Sequence, residues 1–82
     1  MILHVVNVEY LHDHVLRLRF NDGAAGEVDL SGELEGEVFV SLKDVALFKT
    51  ARLHPLMQTV VWDNGADMAP EFLYAHLQIS VE

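Results

Sequence analysis

The sequence predicts an α+β fold, with a mainly antiparallel sheet built from two hairpins, a short middle helix and a C-terminal helix. Three observations predict it. Apolar and polar residues alternate along two early segments, an Asn-Asp-Gly turn follows the second of them, and a proline precedes a final apolar stripe with helical spacing. At 82 residues the chain holds one small core, so residues 1–82 are predicted to form a single domain.

The first hairpin is predicted from two segments with a two-residue period, 2–10 and 15–20. The residues predicted to point inward are Val6, Val8 and Tyr10 on the first strand, and Leu16, Leu18 and Phe20 on the second. The intervening Arg17 and Arg19 then face solvent.

The turn at residues 21–23 predicts the register of the next strand. A three-residue loop with Gly23 left-handed sets Leu16 opposite Val28 and Arg17 opposite Glu27, which keeps apolar and charged residues on separate faces. Arg17 and Arg19 then lie beside Glu27 and Asp29 as cross-strand pairs of roughly 0.2 to 1 kcal/mol each.

The remaining elements follow from turn residues and short apolar runs. Residues 31–36 read as a glycine-flanked connection, and Ser41 begins a short helix that runs to Phe48. Residues 50–53 and 58–62 pair as strands around the His-Pro turn. The final helix opens at Pro70. Its predicted inner stripe is Phe72, Leu73, His76 and Leu77.

The stretch VVWDNGADMAPEFLY, residues 60–74, reads as a strand, a turn, a cap and a helix. Asn64-Gly65 supplies the positive φ of a tight turn, and the Asp67 carboxylate is predicted to cap the final helix. Trp62 is predicted to be buried under that helix against Phe72 or Leu73, with Thr59 marking the wetter face of its strand. The alternative is that Trp62 anchors a partner.

The charge balance disfavours nucleic-acid binding. The sequence contains thirteen Asp and Glu residues and five Lys and Arg residues, which gives a net charge of -8. Five of the acids fall within residues 27–37 with no base among them: Glu27, Asp29, Glu33, Glu35 and Glu37. Such a surface repels phosphates, so we expect no direct nucleic-acid contact and a basic protein as the partner. Small sheets also have edges to pair, and a homodimer is the other form of association considered.

The chain has no cysteine, which removes disulfide, zinc-ribbon and thiol chemistry. The N-terminal stretch MILHVVNVEYL lacks a basic region, and polar residues interrupt its apolar run. It is therefore expected to be neither a signal peptide nor a membrane span, and the predicted location is the cytoplasm. No cofactor is predicted.

Two loops contain candidate metal ligands. His12 and His14 project to the same side of an extended chain and could share a metal, although the sequence fixes no third ligand. The Asp63 to Asp67 loop lacks the ligand spacing and the distal Glu of an EF-hand. We therefore expect no metal, with His12 and His14 as the alternative, and we expect no enzyme because no catalytic constellation is present.

Several motifs together resemble one known family. The segments VLRLRFNDG, an acidic VDL, LKDVALF and VVWDNGADMAPEFLY are similar to the bacterial domains of unknown function numbered 2442. The most specific part of the resemblance is Trp62, Asn64-Gly65, Asp67, Pro70 and Leu73-Tyr74. The resemblance implies no enzymatic activity. Some members carry an added C-terminal helix-turn-helix, which is expected to be absent from a chain stopping at Glu82, and others are similar to proteins found beside toxin-antitoxin-like genes.

These observations predict a non-catalytic interaction or accessory domain, of antitoxin-like or regulatory type, that binds a basic protein. The binding residues predicted from the stretch at residues 60–74 are Trp62, Asn64, Asp67 and Tyr74. The alternative is a small ligand- or metal-binding domain, enzymatic or not, that uses the His12/His14 or Asp63/Asp67 loops.

Overall fold

The strands form two three-stranded antiparallel sheets, which together with the short helices confirms the predicted α+β class. A computed structural model describes residues 2–78 of the protein. The strands are β1 (Val5–His12), β2 (Val15–Phe20), β3 (Ala25–Asp29), β4 (Arg52–Leu53), β5 (Val60–Val61) and β6 (Asp67–Met68). The helices are α1 (Glu37–Val40), α2 (Val45–Phe48) and α3 (Pro70–Ala75). One sheet has the order β1-β2-β3, and the other has the order β4-β5-β6.

The register predicted between β2 and β3 is confirmed. Leu16 pairs with Val28 and Arg17 pairs with Glu27. The Phe20 amide donates to the Ala24 carbonyl at 2.8 Å, and Gly23 has a φ of 91°, as the three-residue loop requires. Alternation along β2 therefore buries its apolar face and exposes its arginines. A one-residue slip in the register would reverse the two faces.

The inward face predicted for β1 is wrong at its start. Val5 is buried and Val6 is exposed, because the register with β2 shifts between Val5 and Asn7. A bulge of this kind inserts one residue and moves the following side chains to the other face. Further along the strand, Val8 and Tyr10 are partly buried and pack against the core, as predicted.

The middle helix is broken rather than continuous. The segment forms α1, a 3₁₀ turn (Ser41–Lys43) and α2, so helical structure begins before Ser41 and is interrupted at Asp44. Asp44 has extended backbone angles, and its carboxylate accepts a hydrogen bond from the Ala46 amide at 3.0 Å. Aspartate stabilises a helix start more than a helix interior, so it divides the segment in two.

The second sheet is predicted correctly in its first pair and incompletely beyond it. Arg52 pairs with Val61 and Leu53 with Val60. The third strand, β6, was predicted as part of a turn and cap. Thr59 is buried, and its hydroxyl donates to the Met68 carbonyl, so the prediction that Thr59 lies on a wetter face is wrong. Burial is tolerated there because the hydroxyl has a partner.

The start of α3 corrects two predictions. Pro70 lies in the first turn as expected, but Ala69 is the N-cap residue and no side chain caps this helix. The prediction of Asp67 as the cap is therefore wrong, because β6 holds Asp67 two residues before the cap position. Leu73 is fully buried, whereas Phe72 is 38% exposed and does not belong to the inner face.

One apolar core joins the two sheets and the helices. Its largest members are Trp62, Phe20 and Phe48, and it includes residues from β1, β2, β3, β5, β6, α2 and α3. Backbone bonds add to the packing. The Val5 amide donates to the Gln58 carbonyl at 3.0 Å, and Gln78 exchanges both backbone bonds with Glu27 on β3.

Candidate functional site

The indole of Trp62 is a structural element of the core. It is 1% exposed, which confirms the predicted burial, and its Nε1 donates to the Phe48 carbonyl at 2.9 Å. The Trp62 and Phe48 rings are 5.8 Å apart between centroids. The aromatic residue that contacts Trp62 therefore lies on α2, whereas the sequence predicts packing against Phe72 or Leu73 of α3. A side chain so enclosed reaches a partner only if the core opens.

The turn after β5 uses Asn64 to hold two backbone segments. Its Oδ1 accepts from the Ala66 amide at 3.0 Å, and its Nδ2 donates to the Val38 carbonyl on α1, also at 3.0 Å. Gly65 has a φ of 87°, as the predicted turn requires. The Asn64 amide group therefore joins the turn to α1 and has both of its ends in use.

Tyr74 reaches from α3 to the turn between β2 and β3. Its hydroxyl donates to the Asp22 carboxylate at 2.7 Å, and its ring meets Phe20 edge-on at 5.0 Å. The Tyr74 hydroxyl, followed by the Ala24 amide, lowers the pKa of Asp22. The same bond to Asp22 raises the pKa of Tyr74. These contacts link residues 52 positions apart in the chain.

The His12 and His14 side chains have separate partners. His12 Nδ1 lies 3.0 Å from the Asp13 carboxylate, and His14 Nε2 lies 2.9 Å from the Lys43 carbonyl. The His14 ring also contacts Phe48 edge-on. Within residues 2–78, no group of three or more His, Asp or Glu side chains is arranged to hold a metal. The Asp63 carboxylate of the other loop is paired with the Arg52 guanidinium.

A cavity of about 390 Å³ lies between the connection that precedes α1 and the segment formed by β6 and α3. We call it the acidic groove. Its apolar part is formed by Phe39, Met68 and Phe72, and its carboxylates are Glu33, Glu35 and Asp67. Of the four binding residues predicted from sequence, the groove includes Asp67. The structure does not bring Trp62, Asn64 and Tyr74 together with it in this groove.

One side of the groove is fixed by His76. Its Nδ1 lies 2.9 Å from the Phe72 carbonyl, and its Nε2 lies 2.7 Å from a Glu33 carboxylate oxygen. The Phe72 carbonyl, followed by the Glu33 carboxylate, raises the pKa of His76. Only the doubly protonated ring donates to both acceptors, so this geometry favours the imidazolium. The ring also contacts the Phe72 ring in a tilted arrangement, with 4.5 Å between the centroids, and so packs against one of the residues that line the groove.

Sequence reasoning missed the groove because its halves are distant in the chain. The acidic run supplies Glu33 and Glu35, and a segment more than 30 residues later supplies Asp67 and Phe72. The signal that was available is local: an acidic stretch that ends in the apolar Val38-Phe39-Val40, and a final helix whose first turn carries Phe72.

The fold and the groove define a small α+β domain with two antiparallel sheets. The family described as Protein of unknown function (DUF2442) matches residues 5–78, so the chain belongs to that family. This confirms the resemblance seen in the sequence. No curated protein and no solved structure matches the chain. None of the helices in residues 2–78 has the length and apolar character required to cross a bilayer.

Proposed function

We propose that the chain is a non-catalytic interaction domain of the bacterial cytoplasm, antitoxin-like or regulatory, that binds a basic protein. The observation that supports the proposal is the distribution of charge. Three ion pairs occur within residues 2–78, and they join Arg52 to Asp63, His12 to Asp13 and His76 to Glu33. The carboxylates of Glu35, Glu37 and Asp67 take part in none of them.

Two of the positive side chains lie on β2. Arg17 and Arg19 point outward on β2, and Arg17 stands between Glu9 on one side and Glu27 on the other in the strand register. Within the acidic run, Glu33 has His76 as its partner, and Glu35 and Glu37 take part in no ion pair of the described residues. Complementary charge across an interface accelerates association and selects partners, so a basic protein is the favoured partner for such a surface.

Three polar residues of the two loops considered for chemistry make contacts that stabilise the fold. His14 lies against a backbone carbonyl, Asp63 pairs with Arg52, and Asn64 uses both ends of its amide on backbone groups. This leaves few groups poised for catalysis or metal binding, and it supports a non-catalytic role.

The test is capture of the tagged protein from the lysate of its own cells, followed by native mass measurement and identification of what is bound. Three proteins are compared: the wild type, Glu35→Gln/Glu37→Gln, and the matched control Glu9→Gln/Asp13→Asn, which loses the same two charges from β1 and the following turn. We expect a basic protein on the wild type and on the control, reduced binding on the acidic-run variant, and weaker binding as salt rises.

Two results would contradict the proposal. A bare monomer or homodimer carrying a metal or small-molecule mass would favour the alternative ligand-binding function. Equal binding of one partner by all three proteins, independent of salt, would show that the acidic run does not make the contact.

A further inference from the structure

We infer that the acidic groove accepts an arginine side chain of the basic partner. This inference rests on the proposed function and names the contact through which the basic partner binds. The groove joins an apolar wall to unpaired carboxylates, and that combination matches the two halves of an arginine: an apolar stem and a planar cation.

The apolar wall provides the first half of the recognition. Phe72 is 38% exposed at the groove, although it is a large aromatic residue on a helix whose neighbour Leu73 is fully buried. Phe39 and Met68 continue the wall inward. A guanidinium stacks on an aromatic face with a gain of about 0.5 to 2 kcal/mol, so an exposed ring beside carboxylates favours this cation over a neutral side chain.

The carboxylates provide the second half. Glu33 is already bonded to His76, so the two groups that meet the incoming cation are Glu35 and Asp67. Both residues are exposed, and neither belongs to an ion pair in the part of the chain that the structure describes. They line the same cavity from different segments, and a guanidinium carries donors on three nitrogens, so the inference places one guanidinium between the two carboxylates.

The size of the cavity agrees with this occupant. At about 390 Å³ it lies at the lower end of the range of about 300 to 1,000 Å³ that is typical of small-ligand pockets. That is enough for one long side chain with part of its neighbouring backbone. The net charge of -8 further attracts a cationic segment toward the groove.

The test is a titration of the isotope-labelled protein with Ac-Gly-Arg-Gly-NH₂, followed by amide NMR. We expect shifts centred on Asp67, Met68, Ala69 and Phe72, with a dissociation constant on the order of 1 mM, as is typical of a single side chain. The matched peptide replaces arginine by citrulline, which keeps the shape and removes the charge. It should bind at least about tenfold more weakly.

Two variants localise the contact. Phe72→Ala removes the ring, and Glu35→Gln/Asp67→Asn removes the two charges at exposed positions with side chains of nearly equal size. Each should weaken binding about five- to tenfold. The control Glu9→Gln/Asp13→Asn removes the same charge outside the groove and should bind like the wild type within about twofold.

Equal binding of the citrulline peptide, or shifts spread over acidic residues outside the groove and unchanged in the Glu35→Gln/Asp67→Asn variant, would overturn the inference. If the peptide fails while the wild type still captures a basic protein, the groove is not the contact and the proposed function stands. If the peptide binds in the groove and no protein is captured, the arginine site stands and the proposed partner is wrong.

Discussion

Replacing Trp62 by phenylalanine tests how the core is held together. The indole is 1% exposed and donates to the Phe48 carbonyl at 2.9 Å. That carbonyl also accepts from the Ala51 amide at 3.2 Å, so it keeps a partner when the indole is removed. The lost hydrogen bond therefore costs about 1 kcal/mol rather than the larger penalty of an orphaned group.

The smaller ring adds a cavity term. Phenylalanine leaves roughly 40 Å³ empty, which at about 24 cal/mol per Å³ costs about 1 kcal/mol. We expect Trp62→Phe to lower the free energy of unfolding by about 2 kcal/mol in total. A domain of this size has on the order of 4 to 12 kcal/mol, so the variant should remain folded. The melting temperature should fall by roughly 8 to 16 °C.

Urea unfolding followed by far-ultraviolet circular dichroism is the appropriate assay, because Trp62 is the only tryptophan and its fluorescence is lost in the variant. The matched control is Tyr10→Phe, which deletes a hydroxyl bonded to the Asp13 carbonyl at 3.1 Å in an exposed setting. That change should stay within about 0.5 kcal/mol. Equal effects of the two substitutions, or iodide quenching of the wild-type fluorescence as efficient as for free indole, would refute the reasoning.

Three further predictions concern the turns and the charged contacts. Gly65→Ala should cost about 1 kcal/mol in urea unfolding because its φ is 87°, whereas Gly32→Ala, at a position with open space and no positive φ, should be near neutral. The pKa of His76 is raised by a backbone carbonyl and then by a carboxylate, so its stabilising contribution is complete below about pH 6.5 and is lost as the pH rises through the raised value. The melting temperature of the wild type should therefore exceed that of His76→Gln at about pH 5.5, and the difference should shrink by about pH 9; a constant difference would contradict the assignment. Tyr74→Phe should let the pKa of Asp22 rise toward its ordinary value in an NMR titration, since the Tyr74 hydroxyl is the main group that lowers it.

The hairpin of β2 and β3 was predictable because two independent signals agree there. The two-residue alternation of β2 assigns its faces, and Gly23 fixes the loop length that sets β3 in register. The bulge after Val5 was not predictable, because a run of adjacent valines satisfies either face and carries no mark of an inserted residue.

The final block shows where a local pattern has two explanations. Asp67 lies three residues before the proline that opens the helix, so the local pattern fits both a carboxylate that accepts from an amide of the first turn and a short strand that pairs with β5. The second sheet exists only once its strands meet, so tertiary pairing decides the outcome. The burial of Trp62 was predictable from its size, whereas its partner on α2 required the fold.

The acidic residues of the groove could be predicted from the sequence, but the cavity that they line could not. Its carboxylates belong to a run that the sequence displays plainly, but its wall is completed by Phe72, for which helical periodicity predicted an inward position. A short helix with one buried leucine leaves its neighbours free to lie at the margin, and periodicity alone does not distinguish the two.

The pairing of Gln78 with Glu27 has a consequence for how molecules of this chain behave toward each other. An outer strand offers unpaired amides and carbonyls to any extended chain, and self-association through such strands leads to aggregation. Here the chain's own segment after α3 occupies part of that site on β3. Local detachment of this segment requires less free energy than global unfolding, and we expect aggregation to follow it. A variant that weakens this pairing is therefore expected to precipitate more readily even when its global stability is unchanged.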